Sequence, residues 1–253
     1  MPLREEFTSN GAWLFRNRSY LPLLGLGVVL MELPSFSYFG GSHDTQLLWS
    51  GLCLAVGLLG LAVRIHVGGH APPGTSARGT HAPKAARVMT TGFYSVVRHP
   101  LYFANLIMWL SIVMFVHVWW LIVLIALACW LYYERIMFVE EEVLRDKFGA
   151  AWLDWATRTP ALLPRFRQWR APEHPFSVRQ ALRREYAGFF ALIATFTGLE
   201  ITADLMVTGR LQVDPVWGTL FALALIIFVV TRYLTHHTGA LKLPASQQLT
   251  SDG

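Results

Sequence analysis

Apolar residues in this chain are gathered into runs long enough to cross a bilayer, with polar segments between them. The first run extends from Leu21 to Phe39 and is interrupted near its end by Glu32 and Pro34. The second extends from Leu47 to Ile65. Each is close to the roughly 20 residues that a spanning helix needs. The third, Leu101 to Val116, is shorter, and the fourth runs from Trp119 to about Val139. The few residues around His117 between them predict a tight helical hairpin. A fifth run covers Tyr186 to Val207 and a sixth Val216 to Leu234. The pattern predicts an all-α, polytopic integral membrane protein with about six transmembrane helices.

The segments between the runs divide the chain into three parts. Residues 1–91 hold the first two spans and a basic loop. Residues 92–170 hold the hairpin with its polar ends, and residues 171–253 hold an amphipathic segment, two spans and a tail. Residues 1–19 are polar, with Arg4, Arg16 and Arg18. Residues 66–91 are rich in Gly, Pro, Ser and Ala, carry Arg78, Lys84 and Arg87, and read as a loop. A loop of that length is more often functional than a passive connector. The stretch from Glu140 to about Trp155 is predicted helical. Pro160, Pro164, Pro172 and Pro175 break regular structure beyond it. Residues 176–185 are predicted to form an amphipathic surface helix, and the tail, 235–253, is polar.

Composition narrows the class. Hydrophobic residues make up 54% and charged residues 15%, against about 25% charged in soluble domains. Cys53 and Cys129 both lie inside apolar runs, which suggests neither a disulfide framework nor a cysteine metal site. The N-terminal stretch has no short apolar region with a small-residue cleavage site, so the first run is read as retained. The net charge of +5 comes mostly from arginines that flank the spans. On a membrane protein this reports orientation and anionic headgroups, and nucleic acid is not an expected partner. With both termini cytoplasmic, every Lys and Arg except Arg210 falls on the cytoplasmic side or its boundary, and the turns at 40–46 and around 117 carry none.

The chemistry-bearing residues stand at the two ends of the hairpin. Before it comes Gly92-Phe93-Tyr94-Ser95-Val96-Val97-Arg98-His99-Pro100-Leu101-Tyr102. After it come Glu140-Glu141-Glu142-Val143-Leu144-Arg145-Asp146-Lys147-Phe148-Gly149 and then Pro160 and Pro164. Folding the hairpin back is expected to bring Arg98, His99 and Tyr102 towards Glu140 and Glu141. Singly, each has a plain explanation: an arginine snorkelling to headgroups, an interfacial histidine, a solvated glutamate turn. Together and in this order the two motifs resemble the membrane-embedded methyltransferases, namely isoprenylcysteine carboxyl methyltransferase, the phospholipid methyltransferases and their bacterial relatives. The shared pattern is G-x-Y-x-x-x-R-H-P-x-Y, a hairpin, E-E-x-x-L-x-x-x-F-G and a terminal Pro. Gly92, Tyr94, Arg98, His99, Pro100, Tyr102, Glu140, Glu141, Leu144, Phe148, Gly149 and Pro164 fall on it.

The resemblance implies an S-adenosylmethionine cofactor at the cytoplasmic side, beside an opening to lipid, and a lipid or lipid-linked acceptor. It implies a cofactor pocket that includes Tyr94, His99, Pro100, Tyr102, Glu140 and Glu141, with Arg98, His99 and Glu141 nearest the chemistry. The residue types suit that ligand. A guanidinium reads a carboxylate in a bidentate fashion. Carboxylates accept from an ammonium and from ribose hydroxyls, and an aromatic face attracts a sulfonium. Pro100 biases His99 out of helical geometry and starts the third helix at a favoured position. An amine or hydroxyl acceptor needs a general base, with Glu141 or His99 as candidates, whereas a carboxylate or phosphate needs none. The arginines Arg165, Arg167, Arg170, Arg179, Arg183 and Arg184 favour an anionic headgroup.

This chain departs from the family pattern at several positions. Ala104 stands where a Gly usually follows R-H-P-x-Y, and Trp152 and Trp155 replace tyrosines. Arg135 sits one residue ahead of the place, held here by Ile136, where relatives carry an arginine. Three other readings accompany the lipid methyltransferase: a prenylcysteine carboxyl methyltransferase, a sterol-type reductase that binds NADPH, and a non-catalytic accessory protein. Elsewhere, His66 and His70 have the spacing of a helical metal pair but lack a third ligand. Glu32, Glu200 and Asp204 are carboxylates in or near spans, with Arg210 as an expected partner of one of the latter two. Tyr132, Tyr133, Trp119 and Trp120 fit an aromatic belt.

Overall fold

The computed structural model describes residues 2–18, 20, 22–72 and 87–238, and Arg78 and Lys84 of the expected basic lead-in lie outside them. The described residues form α-helices and short 3-10 turns, with one isolated antiparallel bridge between Gly92 and Arg170. In chain order the helices are α1 (Leu3–Arg16), α2 (Pro22–Glu32), α3 (His43–His70), α4 (Pro100–Met114), α5 (Trp119–Phe148), α6 (Ala150–Ala156), α7 (Val178–Thr208) and α8 (Pro215–His236). Five segments are long and apolar enough to cross a membrane: Leu23–Gly41, α3, α5, α7 and α8. The short third run forms α4, also apolar. The fold is that of a polytopic, all-helical membrane protein.

Helix α3 is the central element and packs on both α4 and α7. Helix α8 packs on α7, and α1 and α4 pack on α5. Two helices can approach this closely only where a side chain is missing. A methyl group placed on Gly60 of α3 would lie 2.7 Å from the carbonyl oxygen of Ala104 in α4 and 2.8 Å from Met108 Cγ. Ala104 is fully buried. The residue that departs from the family glycine is thus accommodated by a glycine on the opposing helix, a small-on-small contact of the kind that joins helices in lipid. Gly57, one turn away, faces Ser111 and Leu192 in the same manner.

Several elements differ from the sequence reading. The polar N-terminal segment forms a helix, α1, which lies against α5. A methyl on its Gly11 would collide with the carbonyl of Arg135. The first apolar run bends early, because Pro34 ends the α-helix and leaves a 3-10 turn at Leu33–Ser35. The second continues past Ile65 to His70. Gln180 donates to the carbonyls of Gly68 (2.8 Å) and Ala71 (2.7 Å), which satisfies groups that the helix end leaves open. Gly69 lets the Phe176 ring approach so closely that no Cβ would fit. The expected surface helix over 176–185 is instead the start of α7, which runs 31 residues. Its Gln180, Ala181 and Glu185 are buried against the neighbouring helices. The helix expected from Glu140 to Trp155 breaks at Gly149, whose φ of 55° favours glycine, and resumes as α6.

The turns sort into two groups. His117, at φ 44°, closes the α4–α5 hairpin, and its ring bonds the Ser37 carbonyl at 3.0 Å. Tyr38 donates to Asp204 at 3.0 Å. The 36–42, 115–118 and 209–214 turns therefore share one end of the bundle, and the two motifs share the other.

Candidate active site

The site is built from three pieces of backbone. The first is the stretch 92–99 in front of α4. Gly92, at φ 60°, opens it, and a 3-10 turn at Phe93–Ser95 is held by Ser95 Oγ donating to the Gly92 carbonyl at 2.7 Å. His99 caps α4 with φ −120° and ψ 66°, and Pro100 takes the first helical position, as expected. The second piece is the end of α5 from Glu140 to Phe148. The third is the crossing segment 157–177, which runs back over the motif. The amide of Arg98 donates to Pro160 (2.8 Å), that of His99 to Ala161 (3.1 Å), that of Arg165 to Val96 (2.9 Å) and that of Gly92 to Arg170 (2.9 Å).

The expected convergence of the hairpin ends is present. Arg98 Nε donates to Glu141 Oε1 at 2.9 Å, and His99 Nε2 lies 2.9 Å from the same oxygen. His99 Nδ1 lies 3.5 Å from Glu140 Oε2. Tyr102 donates to Glu140 Oε1 at 2.8 Å, and Arg18, from the end of α1, stands 3.9 Å from that oxygen. Arg98 also reaches the C-terminal carbonyls of α6 and the turn after it, Ala156 at 2.6 Å and Thr159 at 3.1 Å. A guanidinium suits that position, because a helix C-terminus carries partial negative charge.

His99 is buried and faces a carboxylate with each ring nitrogen. Burial by itself would lower its pKa. The hydrogen bonds and charges of Glu140 and Glu141 outweigh burial and raise it, which favours the charged form of the ring. Tyr94 is pushed up to about 12, first by burial and then by the charge on Glu140, and stays neutral. Below the charges lies an aromatic floor. Tyr102 stacks on Tyr133 with centroids 5.1 Å apart, and Tyr133, Met137 and Leu162 form a small buried cluster with Tyr132 at its edge. Tyr133 is thus a wall of the site and not part of a belt, whereas Trp119 and Trp120 are exposed. The Tyr132 hydroxyl is enclosed with no hydrogen-bond partner among the described residues.

The other sequence candidates separate. Tyr94 lines a small recess with His66, His70, Gly92, Phe93 and Pro172, next to the charged cluster. His66 and His70 pack with rings 4.5 Å apart, and no group of three metal-ligating side chains occurs among the described residues. Arg135 turns away from the site and stacks on Phe7 of α1, 3.3 Å from the ring centroid. Trp155 donates to the Tyr94 carbonyl at 3.2 Å and ties α6 to the motif.

The sequence reading missed two groups. One is Arg18. The other is a polar triad between helices: Arg64 grips Glu185 with Nε at 2.7 Å and Nη2 at 3.1 Å, and reaches Asn105 with Nη1 at 2.5 Å. A charge near the end of an apolar run was the available signal for Arg64 and for Glu185. Nothing local pairs them across 121 positions.

Residues 74–151 match the family model of phospholipid methyltransferases. The match supports the resemblance read from the two motifs. It takes in both charged ends of the hairpin and the whole of α4 and α5, and leaves α1, α2, α3, α7, α8 and the whole crossing segment outside. No curated protein and no solved structure matches the chain.

Proposed function

We propose that this protein transfers a methyl group from S-adenosylmethionine to a lipid or lipid-linked acceptor that enters from the bilayer. One observation carries the reading. Within the stretch that matches the phospholipid methyltransferase model, Arg98, His99 and Tyr102 meet Glu140 and Glu141 across the end of an apolar hairpin. The residues fit the cofactor. Glu140 and Glu141 offer carboxylate oxygens for an ammonium or ribose. Arg98 uses Nε and Nη1 on protein acceptors and has Nη2 for a carboxylate. The enclosed Tyr132 hydroxyl is a polar group that a ligand would satisfy.

When bound, the cofactor supplies a methyl group already activated by its sulfonium. The protein's part is to bind, orient and exclude water. His99, doubly clamped, acts as a charged donor that fixes both carboxylates and not as a base. For an amine or hydroxyl acceptor the proton would pass to Glu141, and a carboxylate or phosphate needs no base. The site lies at the end of the bundle that holds most of the Lys and Arg, which supports a cytoplasmic position for it and for both termini.

The test is titration of the purified, detergent-solubilised protein with adenosylhomocysteine and, in parallel, with NADPH. Saturable binding of adenosylhomocysteine alone is expected, followed by transfer of labelled methyl into a lipid extract. Binding of NADPH alone would replace the proposal with a reductase, and binding of neither would leave an accessory protein.

A further inference from the structure

We propose that the crossing segment 157–177, with the first turn of α7, is a docking surface for anionic lipid headgroups. Through this contact bulk lipid would order the backbone that presents Arg98 and His99. This contact with bulk lipid does not depend on methyl transfer.

The first observation is charge. Between Arg158 and Arg184 the chain carries seven arginines and one acid, Glu173, and that acid is paired with Arg87 at 3.2 Å. Arg165, Arg167 and Arg179 are exposed, and no carboxylate pairs with any of them among the described residues. The second observation is the apolar company these arginines keep. Leu163 (61% exposed), Phe166 (62%) and Val178 (61%) point outward, interleaved with them. A soluble surface gains nothing from that mixture. Arginines alternating with aromatic and aliphatic side chains suit a headgroup layer, where the charge meets phosphate and the apolar body enters the acyl boundary. The third is position. Trp169 packs on His66 and Phe93, the amide of Ser177 donates to the Gly69 carbonyl at 2.9 Å, and the chain then enters α7, a span candidate. The segment therefore lies across the ends of membrane helices, at the depth where headgroups are found.

The same backbone carries the site. Its carbonyls at Pro160 and Ala161 receive the amides of Arg98 and His99, and its Arg165 amide bonds Val96. Whatever holds the segment down holds these two side chains in register.

The experiment is hydrogen–deuterium exchange on the full chain in nanodiscs of phosphatidylcholine alone and of phosphatidylcholine with phosphatidylglycerol. Slower exchange at Arg98, His99 and Arg165 is expected in the phosphatidylglycerol discs. The gain should shrink by about fivefold for each arginine removed, and raised salt should erase it. The Arg165→Gln/Arg167→Gln/Arg179→Gln variant should exchange alike in both lipids, with α3 and α7 unchanged as a check of the fold. The single variant Arg167→Gln, at an exposed position with no ion pair to lose among the described residues, serves if the triple variant does not fold. Equal exchange of the wild-type segment in the two lipids would overturn the proposal. So would a lipid difference that survives loss of the arginines.

Discussion

His99 sits between two carboxylates, and its charge state follows from that placement. Because its folded-state pKa is raised, its contribution to stability is complete below about 6.5, the ordinary histidine value. That contribution is lost as pH rises through the raised folded-state value. The thermal stability gap between wild type and His99→Gln, measured in detergent from pH 6 to 9, should therefore be widest at pH 6 and narrow towards pH 9. A gap that widens with pH would mean the ring is neutral in the folded protein. The carboxylates are predicted to matter in a second way. His99→Ala and Glu140→Ala each remove a charged hydrogen bond, typically worth about 1.5–3 kcal/mol. Calorimetry should find adenosylhomocysteine binding weakened about ten- to hundredfold in each. Unchanged affinity in both would remove these residues from the cofactor site.

At the scale of elements, the α3–α4 contact decides whether the hairpin stands where it does. The room at Gly60 is taken by the Ala104 carbonyl and Met108, and backbone does not yield as a flexible side chain does. Gly60→Val should cost about 1–3 kcal/mol or more through overpacking, seen as a lower unfolding temperature in detergent. An unchanged temperature would show that the two helices can separate at little cost. Gly57→Ala, whose new methyl would meet the Ser111 hydroxyl at 2.7 Å, should be milder, since a side chain can move aside. The crossing segment is the other decisive element. It has no periodic pattern of its own, and its four prolines read only as a break. Its order comes from hydrogen bonds to residues roughly 60 to 110 positions earlier in the chain, and no local signal encodes them.

The whole molecule has two polar ends. One holds the charged cluster of the two motifs. At the other, Ser50 donates to Glu200, Tyr38 to Asp204, and His43 lies 3.8 Å from Asp204 and 3.9 Å from Asp214. These are the partners of Glu200 and Asp204, and Arg210, the expected one, pairs with neither. Because a bundle length separates the ends, Glu200→Gln is expected to leave adenosylhomocysteine affinity unchanged within about twofold. A large loss would show that the ends are coupled or that the site is elsewhere. The span pattern and the meeting of the hairpin ends were legible in the sequence. A membrane helix must be a long apolar run, and a tight turn at His117 leaves its flanks only one way to fold.

By itself, then, the sequence determined the helical membrane class, the hairpin and the residue types at its end, since each depends on local composition, spacing or order along the chain. Tertiary structure alone decided that α1 lies along α5 and brings Arg18 to Glu140, and that Arg64 grips Glu185. It also decided that Tyr133 faces the site, that Arg135 turns to Phe7, and that the crossing segment holds Arg98 and His99 by their backbone. The physical reason is the same for each. A polar or aromatic side chain at a helix boundary has several acceptable environments, and which one it takes is set by a partner far away in sequence, at a distance that only packing fixes.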